Sequence, residues 1–167
     1  MRLLDKKFRT HIGNYLFQCA LASFSILLIL LFLDVLNETA IIASLGATAF
    51  IVFTMPNAYS SQPRPLIGGY LVGTVVGITC FLISSFITHN FLGSSYSIAI
   101  ALAGAIAVGI AIFIMVATDT EHAPAAGCAL GLVLNEWDYR TIAFILCAVI
   151  VMSFIKRILK PKLFDLI

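Results

Sequence analysis

The sequence predicts an all-α membrane protein in which four long transmembrane helices and two short helices form a duplicated long-short-long unit. Apolar residues make up 61% of the 167 residues and charged residues only 11%, whereas soluble domains are about 25% charged. Four segments reach the roughly 20 apolar residues that a helix needs to cross a bilayer. Two shorter apolar segments occupy matching places in the two halves of the chain.

The long segments span residues 15–36, 66–88, 96–117 and 139–159. The first follows the basic start MRLLDKKFRT, as a secretory signal would, but it is too long for a signal and has no small-x-small cleavage site near its end. We therefore expect an uncleaved first span. Because no polar stretch is long enough to fold alone in water, residues 1–167 are predicted to form a single transmembrane domain.

The short segments are residues 39–55 and 123–134. As helices they would reach only about 25 Å and about 18 Å, so we interpret them as half-helices or re-entrant helices. A shift of 81 positions lays 15–36 on 96–117 and Ala43–Gly46 on Pro124–Gly127. The identities are few, and chance similarity of two apolar segments is the alternative to duplication. Short segments at matching positions mark the substrate site in many transporters.

Basic residues flank both ends of the apolar region and predict a multi-pass plasma (inner) membrane protein with both termini cytoplasmic. The number of crossings is then even. Four crossings with two re-entrant helices and six crossings with two short ones both satisfy this condition, and they place the 56–65 loop on opposite sides. We favour four full spans. A net charge of +2 on two flanks excludes a nucleic-acid groove. The basic residues are Arg2, Lys6, Lys7, Arg9, Lys156, Arg157, Lys160 and Lys162.

Small residues four apart predict close helix contacts, because helices in lipid associate where their backbones can approach. The predicted packing residues are Gly69, Gly73, Gly77 and Gly131. Because so small a number of helices rarely encloses a transport pathway within one subunit, we expect a homo-oligomer. The four cysteines lie inside apolar segments without metal-ligand spacing, and we expect no metal and no cofactor.

The stretch TDTEHAPAAG, residues 118–127, holds the densest group of ionisable residues in the apolar region. Proline suits the first turn of a helix, so a short helix should begin at about Ala123. Its free N–H groups and positive dipole end would favour an anion. The alternative is that an acidic residue of this stretch merely caps the helix at the membrane surface. The predicted binding residues here are His122, Pro124, Ala125 and Gly127.

The matching positions in the first half are small and weakly polar, and we assign Ser44, Gly46 and Thr48 to the same substrate site. Arg64 follows in a proline-rich linker and is the only Lys or Arg between Arg9 and Arg140. It either attracts an anion or marks a cytoplasmic loop.

Two motifs resemble those of the HPP family of integral membrane proteins. Residues 46–78, GATAFIVFTMPNAYSSQPRPLIGGYLVGTVVGI, are similar to its conserved block. The family's His-Pro-Pro-Ala-Gly motif falls on His122–Gly127, where Ala123 replaces the first proline and one extra small residue precedes the glycine. The resemblance implies a four-spanning transporter of a small anion such as nitrite.

We therefore predict that the protein, embedded in membrane lipid, transports a small inorganic anion and couples this transport to protons through Asp119, Glu121 and His122. The two carboxylates would raise the pKa of the histidine. A passive anion-selective channel and a non-transporting membrane assembly subunit are the alternatives. No catalytic residue is assigned and an enzyme is not expected, since no HExxH or GxSxG motif is present.

Overall fold

The computed structural model of the protein describes residues 11–32, 38–89 and 96–166. Within these ranges the chain forms six helices and no strand. Four helices are long and apolar enough to cross a membrane, and two apolar helices are shorter. The predicted set of four long and two short helices is thus confirmed. The helices are α1 (Ile12–Phe32), α2 (Thr39–Thr54), α3 (Pro63–Ile87), α4 (Tyr96–Ala117), α5 (Ala123–Leu134) and α6 (Tyr139–Leu159).

Two helices begin three residues earlier than predicted: α1 at Ile12 and α3 at Pro63. The start of α3 has a clear cause. Two prolines lie in its first turn, where the missing N–H would have had no partner in the helix. Sequence analysis assigned these prolines to the linker. The predicted end of the first span, 33–36, lies outside the described residues, as do the basic residues before Thr10 and the residue Asn37.

Both chain ends and the 55–62 loop meet at one end of the helix bundle, which we call the terminal end. The Tyr15 hydroxyl donates to the Leu166 carbonyl at 2.7 Å, and the rings of His11 and Phe164 stack at 4.7 Å. In the loop, Asn57 donates to the carboxylate of Asp165 through its backbone N–H and its side chain. The loop therefore lies on the same side of the bundle as the two termini.

The short helix α2 runs the length of the bundle. Glu38, just before its start, accepts a hydrogen bond from Thr141 at the beginning of α6. The Thr54 carbonyl at its other end accepts from the Leu166 N–H at the terminal end. Neither contact would be possible for a segment that returned to the side from which it entered.

The helix α5 likewise joins the two ends. It begins beside the 55–62 loop, and its residue Gly131 lies against Ile41 near the start of α2. From the sequence, the two short helices could either cross the membrane or re-enter on the same side, and four crossings in total were favoured. The structure carries both short helices from one end of the bundle to the other, which gives six passes through the bundle. The duplication of the unit stays a prediction.

Glycines of α3 let α5 approach its backbone closely. A Cβ atom added at Gly69 would lie 2.7 Å from the Cβ of His122, and one added at Gly77 would lie 2.8 Å from the Ala129 carbonyl oxygen. At Gly73 an added Cβ would overlap the Ala125 carbonyl oxygen. Because interpenetrating contacts of this kind leave no room for a methyl group, the three glycines set the distance between α3 and α5.

A buried lysine holds the 55–62 loop against α6. The Lys156 side chain is 4% exposed, and its Nζ donates to the Ser61 carbonyl at 2.6 Å and to the Ser61 Oγ at 2.9 Å. Buried cations need such hydrogen bonds to offset their desolvation. The loop is therefore fixed from α6 as well as from α5.

Candidate functional site

Four polar side chains are packed together in the apolar interior, where the two short helices meet α3. We call them the polar cluster: Ser44 and Thr48 of α2, Tyr70 of α3, and His122 immediately before α5. None is more than 5% exposed. Buried polar groups are costly unless hydrogen-bonded, so their partners define what the cluster can do.

His122 connects the cluster to the 55–62 loop. Its Nδ1 lies 2.8 Å from the Ser60 carbonyl oxygen, and its Nε2 lies 2.9 Å from the Thr48 Oγ1. Both ring nitrogens therefore have partners, and the ring links a loop at the terminal end to a helix of the interior.

The hydroxyl groups continue this chain of contacts to α5. The Tyr70 Oη lies 2.8 Å from the Thr48 Oγ1 and 2.8 Å from the Ser44 Oγ. Ser44 in turn donates to the Pro124 carbonyl at 2.6 Å. Five contacts thus run without a break from the loop through three helices.

Local sequence explains how the cluster assembles. Ser44 and Thr48 are four residues apart, so they share one face of α2, and Tyr70 reaches both from α3. Gly69, next to the tyrosine, leaves the space that the His122 Cβ fills. His122 has an extended backbone (φ −139°, ψ 95°) and precedes the first residue of α5, which directs its ring into the bundle.

The predicted start of the second short helix is confirmed. The helix begins at Ala123 with Pro124 in its first turn. The structure brings it against the predicted part of α2, since a Cβ at Gly127 would lie 3.7 Å from the Ser44 Cβ. Asp119, Thr120 and Glu121 do not cap it; His122 occupies the capping position without a side-chain capping bond.

Residues 43–48 do not present free backbone donors. The helix α2 begins at Thr39, so the N–H groups of Ser44 and Thr48 fall in its interior, where they bond within the helix. Gly46 faces the other way, towards Ile26 of α1.

At the start of α5 the backbone also offers few donors. The Ala125 N–H bonds to the His122 carbonyl at 2.9 Å, and Pro124 has no N–H. The hydroxyl groups and the imidazole are therefore the donors of the site.

The predicted charged residues lie outside the cluster, exposed at the terminal end. Arg64 and Asp119 form an ion pair at 3.3 Å, with side chains 67% and 62% exposed, and Arg64 also donates to the Thr118 carbonyl. Asp119 accepts a hydrogen bond from Tyr59 as well, and Glu121 is exposed. Such exposed pairs contribute at most about 1 kcal/mol to stability.

The structure also corrects the expected direction in which the pKa of His122 is shifted. Burial lowers the pKa of the imidazole below its ordinary value, and the Ser60 carbonyl partly counteracts this effect. The carboxylates of Asp119 and Glu121 were expected to raise this pKa, but they are not among its causes. Desolvation of a cation disfavours the charged form, so burial favours a neutral ring.

Sequence analysis missed Tyr70, which holds the centre of the cluster. A hydroxyl group within a spanning segment, directly after a packing glycine, was the available signal. It also missed Thr74, one turn further along α3. The Thr74 side chain is 4% exposed, and its Oγ1 has no hydrogen-bond partner within the part of the chain that is described.

Two apolar cavities open on the outside of the bundle. One, of about 300 Å³, lies between α3 and α4, and the other, of about 190 Å³, lies between α1 and α6. No member of the polar cluster lines either of them. The cluster itself is closed by its own contacts. The described ranges bring no three His, Cys, Asp or Glu side chains together in a group that could hold a metal ion.

The fold and the site define a class of protein: an all-helical membrane protein whose polar cluster lies between two short helices inside an apolar bundle. The chain belongs to the HPP family, because the family described as "HPP, transmembrane region" matches residues 7–159. No curated protein and no solved structure matches the chain.

Proposed function

We propose that this protein transports a small inorganic anion such as nitrite together with protons, and that the polar cluster is its substrate site. The observation that carries the proposal is the cluster itself. Polar groups within a membrane bundle are expensive to bury, and they generally mark a substrate or ion pathway.

The composition of the cluster favours an anion over a cation. Ser44, Thr48 and Tyr70 supply hydroxyl donors, His122 supplies ring N–H groups, and none of the four is a carboxylate. When His122 is protonated, it adds a positive charge where the surrounding apolar residues screen it little. A desolvated anion would gain both charge-assisted hydrogen bonds and ion pairing.

The charged residues at the terminal end suit an entry route. Arg64 is exposed beside Asp119, and Lys156 lies behind the 55–62 loop. The His122–Ser60 contact attaches that loop to the cluster. We propose that the structure represents a closed state, in which the hydroxyl groups bond to one another until an anion replaces one of these contacts.

The remaining features belong to the same proposal: a plasma-membrane location with both termini cytoplasmic, a homo-oligomeric state, and a transport rather than an enzymatic role.

Uptake of nitrite into liposomes containing the purified protein tests the proposal. We expect uptake above that of protein-free liposomes, increased by a pH gradient that is acidic outside. Protein-free liposomes under the same gradient are the baseline, because neutral nitrous acid crosses lipid unaided. Uptake above baseline but indifferent to the gradient would favour the passive channel. Uptake equal to baseline would refute anion transport.

A further inference from the structure

The polar cluster contains more hydrogen-bond contacts than it has protons to fill them. Five contacts connect the Ser60 carbonyl, His122, Thr48, Tyr70, Ser44 and the Pro124 carbonyl. Each contact requires one hydrogen between its two atoms. Each hydroxyl supplies one hydrogen, and a neutral imidazole supplies one. The total is four hydrogens for five contacts.

The direction of each bond follows from the two ends, because carbonyl oxygens only accept. Ser44 must donate to the Pro124 carbonyl, so it can only accept from Tyr70. Tyr70 must then accept from Thr48, and Thr48 must accept from the Nε2–H of His122.

At the other end of the chain, the Nδ1 of His122 must donate to the Ser60 carbonyl. Both ring nitrogens then carry hydrogen, which is the charged imidazolium form.

We infer that the polar cluster is a proton-binding site in which the fifth hydrogen, bound at His122, completes a chain of donors between the 55–62 loop and the start of α5. This inference gives the proposed proton coupling a physical location, but its test requires no transported anion.

A neutral His122 leaves one contact of the series without a hydrogen. With hydrogen on Nδ1, the Ser60 carbonyl is satisfied, but three hydroxyl hydrogens cannot fill the four contacts between Nε2 and the Pro124 carbonyl. With hydrogen on Nε2, those four contacts are filled, and Nδ1 faces the Ser60 carbonyl oxygen with no hydrogen between them. Proton binding therefore decides whether the series of hydrogen bonds from the loop to α5 is complete.

No ionisable group on the surrounding elements supplies the missing hydrogen in place of His122. The helix α3 contributes Tyr70 and Arg64. Tyr70 is itself one of the hydrogen-bonded groups, and Arg64 is paired with Asp119. From α6, Lys156 binds Ser61 next to the loop residue that His122 contacts. The segment of His122 itself carries Asp119 and Glu121, both exposed. The helix α5 contributes the buried Cys128 near Tyr70, and α2 supplies no ionisable side chain, only the Thr48 and Ser44 hydroxyl groups. Burial opposes the proton, and the unfilled contact favours it.

The test is a pH titration of the His122 ring nitrogens by ¹⁵N NMR, on the full chain labelled at histidine and held in detergent micelles. The His122→Gln variant identifies the signals. Ser44→Ala, Tyr70→Phe and Thr48→Val each remove a different hydroxyl. In each variant three hydrogens remain for three contacts with a neutral ring, so binding a further proton fills no additional contact. We expect a roughly tenfold loss of proton affinity, about the value of one charge-assisted hydrogen bond.

Ser44→Ala is the decisive variant, because Ser44 does not touch His122. If burial alone sets the proton affinity, this variant will titrate like the wild type, which would overturn the inference. Thr54→Val is the matched control, since Thr54 is a buried hydroxyl of α2 that bonds only to the Phe50 carbonyl, and it should titrate unchanged. The Ser44→Ala spectrum should also show the neutral ring with hydrogen on Nδ1. A neutral ring with hydrogen on Nε2 would equally contradict the inference.

The titration and the flux assay can fail separately. A protein that moves no nitrite can still show the titration shift, which would leave a proton site without anion transport. If the wild type transports nitrite but the proton affinity of His122 is unchanged in Ser44→Ala, the proposed function stands and the proton-site inference is refuted. Neither the Ser44 nor the Tyr70 hydroxyl bonds to the His122 ring, so Tyr70→Phe serves as the decisive variant if Ser44→Ala does not fold.

Discussion

Replacing Gly73 with alanine is expected to lower the melting temperature of the purified protein by about 5 to 10 °C. The added Cβ would overlap the Ala125 carbonyl oxygen, which belongs to the backbone of α5 and cannot rotate away as a side chain could. Overpacking costs typically about 1–3 kcal/mol, and about 3 kcal/mol corresponds to this shift for a chain of such size. Temperature-dependent loss of monodisperse protein in detergent measures the effect.

Gly109→Ala is the matched control for this substitution. Gly109 lies in α4, and an added Cβ there would meet nothing within 4 Å. Alanine within a helix gains about 0.5–1 kcal/mol over glycine, so this variant should melt at the wild-type temperature or slightly above. If Gly73→Ala melts no lower than Gly109→Ala, then α3 and α5 do not pack as described.

His122→Ala is expected to reduce nitrite uptake by liposomes at least tenfold. The substitution removes the only group of the polar cluster that can carry positive charge, and it disconnects the Ser60 carbonyl from Thr48. Loss of a hydrogen bond to a charged group costs about 1.5–3 kcal/mol, and each 1.4 kcal/mol changes a rate about tenfold.

Two control variants accompany this measurement. His89→Ala alters an exposed histidine at the end of α3 and should retain wild-type uptake. Arg64→Ala breaks an exposed ion pair and should reduce uptake less than His122→Ala does. If His122→Ala and Arg64→Ala both fold and both transport at the wild-type rate, the cluster serves only assembly and the structural-subunit alternative stands.

The sequence was sufficient for the helices because their signals are local. A bilayer imposes a length on each apolar segment, and proline and small residues mark where the helices begin and touch. For this reason α4, α5 and α6 match the predicted bounds 96–117, 123–134 and 139–159. The start of α3 was misplaced because a proline in a first turn and a proline in a linker have the same local signature.

The path of the short helices could not be obtained from the sequence in the same way. Charge counts are equal for four and six passes, and only contacts between distant residues distinguish them. The Glu38–Thr141 and Thr54–Leu166 contacts join residues more than 100 positions apart. Such pairings depend on how the whole bundle packs.

The sequence predicted that two segments meet, but not which of their groups do so. The segments around Ser44 and Pro124 do lie against each other, as equivalent positions of two short helices suggested. Backbone donors are free only in the first turn of a helix, and Ser44 lies five residues beyond the start of α2. Tyr70 was missed because it comes from a third helix, and no spacing along the chain relates it to either short segment.

The account depends on a small anion binding among the side chains of the polar cluster, and direct binding of nitrite to the purified protein tests this most simply. Calorimetric titration in detergent at pH 5 to 6, where His122 has the best access to protons, should give saturable binding to one site per chain. Thr48→Val should weaken it at least tenfold, and Thr54→Val should leave it unchanged. Binding that is absent from the wild type, or equally strong in Thr48→Val and the wild type, would contradict the account.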